Sequence, residues 1–83
     1  MATRAPYGRR FEDVLKAVYR LQRERGYARV KDIARELNVK ASTASQFVAK
    51  LERHGYVEHE KYGYVRLTRK GEELVARLYE RHL

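Results

Sequence analysis

Apolar residues recur at helical spacing in four stretches of this chain and alternate in a fashion suited to strands in one. Phe11, Val14, Leu15, Val18 and Leu21 share one face until Gly26 stops the run, which predicts a first helix over roughly Arg9 to Arg25. Val30, Ile33, Ala34 and Leu37 repeat the spacing over a shorter span, with Asn38 directly after them. Asn tolerates the left-handed conformation that ends a helix and turns the chain sharply. Val39 plugs the corner, and Ala44, Phe47, Val48 and Leu51 then predict a helix from about Ala41 to His54. Ala34 is the small residue that a close helix crossing needs. Short helix, tight turn and longer helix make a helix-turn-helix, whose second helix can enter a DNA major groove.

Around this unit the pattern changes. Tyr27 to Val30 is long enough only for one extended segment at the edge of a small sheet. Tyr56 to Lys61 and Tyr64 to Thr68 are aromatic and β-branched, with Gly63 between them, and predict a hairpin placed as a wing. Thr68 can cap a last helix whose first turns carry Glu72 and Glu73 and whose end carries Arg77, Arg81 and His82. Leu74, Val75, Leu78 and Leu83 give that helix an apolar stripe, with Tyr79 beside it. It either closes the core against the first helix or pairs with its copy in a second subunit. The fold class is mainly α with a small β-hairpin: a winged helix-turn-helix over residues 9–83, preceded by a flexible basic arm over residues 1–8.

Charge sharpens this picture. Nineteen Lys and Arg against 11 Asp and Glu leave a net charge of +8 in 83 residues, which favours an anionic polymer or surface as partner. The outward face of the second motif helix carries Ser42, Thr43, Ser45, Gln46, Ala49, Lys50 and Arg53, and Glu52 is its only acid. Lys40, Lys50 and Arg53 suit phosphates. Ser42, Thr43, Ser45 and Gln46 suit base edges, Gln being able to bond adenine bidentately. Lys61, Tyr62, Tyr64 and Arg66 place cations and phenols on the wing, and Arg4, Arg9 and Arg10 make the start of the chain basic. Lys61 and Arg66 equally suit a strand edge protected against aggregation. The far side of the first helix, with Lys16, Arg20, Arg23 and Glu24, is expected to be solvated surface.

Other chemistry finds little support. No apolar run approaches a membrane span and no signal-peptide pattern appears, so a cytoplasmic, nucleoid-associated protein is expected. Cysteine is absent, which removes disulfides and thiolate metal sites. His54 and His59 match no zinc spacing. There is no phosphate-binding glycine loop, nucleophile elbow or paired-carboxylate motif, so an enzyme is not expected. What remains is a double-stranded DNA-binding transcriptional regulator, with a homodimer favoured by the symmetry of operators. Two alternatives stay open: an architectural protein with little sequence preference, and a winged-helix module that binds protein.

The segments GYARVKDIARELNV, SQFVAKLERHGYVEHEKYG and VRLTRKGEELVARLYERHL resemble the N-terminal domain of the diphtheria-toxin-repressor family of iron- and manganese-dependent repressors. The likeness runs from Phe11 to Leu83. It implies dimeric binding to palindromic operators, with metal as corepressor, and it places Ser42, Thr43, Ser45 and Gln46 at the family's DNA-reading positions. It also implies a further helical domain for dimerisation and metal binding, which is lacking in a sequence that ends at Leu83. Of the family's metal ligands, Asp13 and His82 stand at the first and last positions, while Lys16 occupies the middle one and cannot ligate. They are vestigial candidates, and a regulator with no cofactor and no metal control is therefore expected.

Overall fold

The computed structural model describes residues 8–80. Helix α1 runs over Gly8–Arg25, strand β1 over Ala28–Arg29, α2 over Val30–Leu37 and α3 over Ala41–Arg53. Strand β2 (Val57–His59), a 3₁₀ turn (Lys61–Gly63), β3 (Tyr64–Leu67) and α4 (Arg69–Glu80) complete the order. The four helices and a three-stranded antiparallel sheet form a winged helix-turn-helix, as the periodicity predicts. The expected arm lies almost wholly outside the described residues. Gly8 already belongs to α1, so Arg9 and Arg10 stand in its first turn and not on a tail.

The core is the predicted one. Phe11, Val14, Leu15, Val18 and Leu21 of α1 bury against Ile33 and Ala34 of α2 and Ala44, Val48 and Leu51 of α3. Val75 of α4 joins the same cluster. Asn38 takes φ 58° and ψ 49°, the left-handed conformation anticipated for the corner, and the N–H of Val39 returns to the carbonyl of Ala34 at 3.0 Å. That bond closes the tight corner between α2 and α3. In the first turn of α2 the carboxylate of Asp32, itself buried, is held by Arg25 at 3.3 Å, which compensates the charge where α1 meets α2.

The last helix closes the monomer's own core, so of the two placements open to it the first is realised. Tyr79 packs on Tyr19 of α1 with ring centroids 5.6 Å apart, and Val75 and Leu78 are buried. Leu83 lies outside the described residues. The far side of α1 is more engaged than its sequence suggests. Arg20 is ion-paired with Glu36, Lys16 Nζ lies 5.5 Å from the centre of the Tyr79 ring, and Arg23 reaches the Tyr19 hydroxyl at 3.0 Å.

The first wing strand is shorter than predicted because the chain after it does more than turn, whereas the second begins at Tyr64 as predicted and gives up only Thr68, which caps α4. Tyr62 adopts φ 65° inside the 3₁₀ turn and Gly63 follows at φ 80°. Two successive left-handed residues reverse the chain before the ladder can extend. β3 sits in the middle of the sheet, pairing Val57, Glu58 and His59 on one side and Ala28 and Arg29 on the other. Beyond the short β1, the N–H of Leu67 has no strand to face. Gln22 Oε1, from α1, accepts it at 2.7 Å.

Candidate nucleic-acid interface

α3 rises about 20 Å at 1.5 Å per residue, long enough to lie across a groove about 12 Å wide. Its buried residues are Ala44, Val48 and Leu51. Ser42, Ser45, Gln46, Ala49, Lys50 and Arg53 follow the same period on the opposite side, and all six are exposed. Thr43 is half-buried, so its hydroxyl sits at the margin of the face. Small side chains occupy the first turns and cations the last, an order that lets backbone approach a base-pair edge while charge reaches a phosphate.

Electrostatics at the two ends of α3 differ. The first turn contains no acid, and Lys40 at the N-cap offers no side-chain hydrogen bond to the orphan N–H groups. That end keeps its positive pole open to solvent. Glu52, the one acid of the helix, points towards the sheet and accepts the N–H of His59 at 3.3 Å. Lys40, Lys50 and Arg53 form no ion pair among the described residues. Their charge is uncompensated.

The wing is different. Arg66 stands opposite Glu58 in the ladder, and its Nη2 lies 3.2 Å from Glu58 Oε1 and 2.9 Å from Glu60 Oε2. A cation proposed from sequence to meet DNA is thus held by two carboxylates. Tyr62 fits its predicted place better: it is 82% exposed at the wing tip. Lys61 opens the 3₁₀ turn beside it. Arg10 is exposed on the first turn of α1.

Arg29 had no sequence signal. It lies 4.9 Å from the centre of the Tyr64 ring, and its Nη2 donates to the Tyr62 carbonyl at 3.4 Å, so it links the start of α2 to the wing tip. Its position depends on β1 pairing with β3, a contact between segments far apart in sequence.

The metal-ligand candidates are only partly within the described residues. Among the described residues no group of three His, Cys, Asp or Glu stands together. Asp13 is half-buried on α1 beyond its first turn, Lys16 at the middle position is engaged with Tyr79, and His82 lies outside the described residues. His54 is committed elsewhere: its Nδ1 donates to the Lys50 carbonyl at 2.8 Å and its ring stacks beside Tyr56.

Comparison with known proteins places these features in a family. Residues 7–65 match the model of the iron dependent repressor, N-terminal DNA binding domain. The HTH-type transcriptional regulator MntR of Lysinibacillus sphaericus is 46% identical over 71 residues, covering 86% of this chain and 51% of that protein. The chain therefore spans about half the length of the curated relatives it matches. Among solved structures, IdeR of T. acidophilum superposes with a TM-score of 0.81 at 29% identity, covering 99% of this chain and 36% of that one. The metal-dependent transcriptional regulator MtsR does so with a TM-score of 0.79 at 30% identity, over 87% and 34% of the two chains.

These matches correct one expectation. A regulator without metal control was inferred from an incomplete ligand set, yet the matching family is described by its iron dependence and MtsR by its metal dependence. The incomplete set covers only the described residues, in a chain that spans about half the length of its curated relatives. The fold, the corner at Asn38, the exposed face of α3 and the match over residues 7–65 agree, and the chain belongs to the iron-dependent repressor family through its N-terminal DNA-binding domain.

Proposed function

We propose that this chain is the DNA-reading part of a sequence-specific transcriptional regulator, with α3 in the major groove and the wing alongside the backbone. One observation carries it: the outward side of α3 presents Ser42, Ser45, Gln46, Lys50 and Arg53 to solvent, with cations that no carboxylate among the described residues neutralises. A surface helix of structural purpose would pair such charges along its own length. In this arrangement Ser42, Thr43, Ser45 and Gln46 meet base edges, Lys40, Lys50 and Arg53 meet phosphates, and Tyr62, with Lys61, flanks the duplex from the wing. Arg9 and Arg10 at the start of α1 add to the positive field. The MntR relatives, named as transcriptional regulators, support this assignment over catalysis. A two-fold pair of copies on an inverted repeat is the expected assembly, with half-sites about 34–36 Å apart. Action inside the cell on the chromosome follows from that role, and no helix among the described residues is long and apolar enough to cross a membrane.

Selection of bound duplexes from a random pool tests the proposal. Enrichment of a defined motif is expected, with Gln46→Ala weakening the best site about tenfold and leaving random duplex nearly unchanged, as loss of a bidentate base contact would. Salt-sensitive binding without enrichment would assign the chain to architectural DNA coating. No binding to any duplex would leave the protein-docking role.

A further inference from the structure

The recognition helix is gripped from behind, at the end remote from its base-reading residues. Three consecutive carbonyls follow α3, those of His54, Gly55 and Tyr56, and all three are taken by the start of α4. Lys70 Nζ donates to the His54 carbonyl at 2.9 Å, the Thr68 hydroxyl to the Gly55 carbonyl at 2.6 Å, and the Thr68 N–H to the Tyr56 carbonyl at 3.0 Å. The same Thr68 oxygen accepts the N–H of Gly71 at 3.0 Å and so caps α4. One hydroxyl thereby joins the end of one helix to the beginning of the next. Gly71 completes the contact. A Cβ there would lie 2.0 Å from the Tyr56 carbonyl oxygen, so only glycine lets α4 approach this closely. Lys70 also lies over the Tyr56 ring at 4.8 Å, and its stem runs past Gly55.

At the opposite end, α3 has no side-chain cap. The corner bond of Val39 tethers that end to α2 and packing of Ala44 and Val48 holds its depth, so a swing about the tether moves the far end most. The α4 contact restrains that far end and with it the rake of the helix.

We infer that Thr68, Lys70 and Gly71 are positioning residues for DNA recognition: the first turn of α4 fixes the angle at which α3 presents Ser45 and Gln46, so that displacement of α4 is read as a change in base preference. This rests on α3 being the reading helix. It adds that sequence discrimination is governed from residues 68–71, beyond the stretch matched to the family's DNA-binding domain.

The test compares the chain with Lys70→Met, which keeps the stem and loses the donor, and with Thr68→Val. The readout is the ratio of affinities for the duplex selected by the unaltered chain and for a scrambled duplex of equal length, across a salt series. Folding at the assay temperature is verified by circular dichroism. Expected is a fall in that ratio of about fivefold, the scale on which loss of one helix-end hydrogen bond acts, with the salt slope unchanged. Lys70→Arg and Thr68→Ser restore the ratio. A retained ratio in folded Lys70→Met overturns the proposal, as does a slope reduced by about one, which would make Lys70 itself a phosphate contact. If Thr68→Val does not fold, the exposed Lys70 decides alone. Gln46→Ala runs alongside: if it too leaves the ratio intact, α3 does not read bases and the underlying assignment fails, a result distinct from failure of the grip alone.

Discussion

Releasing Arg66 from its two glutamates should tighten binding to DNA. The perturbation is Glu58→Gln together with Glu60→Gln, which keeps side-chain volume and removes two negative charges beside one guanidinium. All three side chains are substantially exposed, Arg66 and Glu58 by 59% each and Glu60 by 44%. Solvent screening therefore leaves each pair worth no more than about 0.5 kcal/mol to the fold. The melting temperature should fall by only about 2–4 °C per pair lost. The effect on DNA is larger. A guanidinium free to meet one more phosphate steepens the dependence of log K on log salt by about 0.9, which near 0.15 M salt amounts to about fivefold in affinity. Fluorescence anisotropy of a labelled duplex, titrated at several salt concentrations, measures both quantities. Unchanged affinity with an unchanged slope would show that Arg66 does not face the backbone even when free, and the wing contact would then rest on Tyr62 and Lys61 alone.

Three further outcomes are expected. Lys50→Ala should weaken selected and random duplexes alike and lower the salt slope by about one, since its ammonium has no ion-pair partner among the described residues; an unchanged slope in the same titration would remove it from the interface. Leu51→Ala, at a fully buried position where α3 meets the core, should cost about 2–5 kcal/mol in a denaturant melt. Such a loss consumes much of the about 5–15 kcal/mol that holds a typical domain together. Asn38→Val should destabilise by more than about 1 kcal/mol, because a β-branched residue resists φ 58°, whereas Asn38→Gly should be close to neutral; equal effects in thermal melts would deny that the corner is conformationally demanding.

The helices were legible because burial follows local spacing. Val14, Val18, Ile33, Val48 and Leu51 are all fully covered, and each lies on the stripe its period defines. Asn38 and Thr68 were readable for another reason: each does its work within a few residues of itself, one through φ and the other through a cap. Contacts between distant segments left no such trace. Gln22 completing the bonding of Leu67, Arg29 reaching Tyr62 and Arg20 pairing with Glu36 join residues that only the packed fold brings together. The engagement of Arg66 was hidden by register. Which residue faces Arg66 depends on how many the turn consumes, and the 3₁₀ turn around the left-handed Tyr62 cuts β2 short. The expectation of no metal control is not borne out, because the matching family is described by its iron dependence, which the spacing of donors along this sequence does not report.

The central place of β3 bears on where this unit can be cut. Ala28 waits for Val65 and Val57 waits for Leu67, so neither outer strand finds its neighbour until the nascent chain has delivered the segment from Tyr64 to Leu67. A fragment halted at Val65, where the family match ends, would orphan Val57 and strip Gln22 of the amide it satisfies. It would also carry away Thr68, whose hydroxyl closes the base of α3. Protease trimming from that side therefore dismantles the reading head itself, and the shortest piece able to fold must extend into α4.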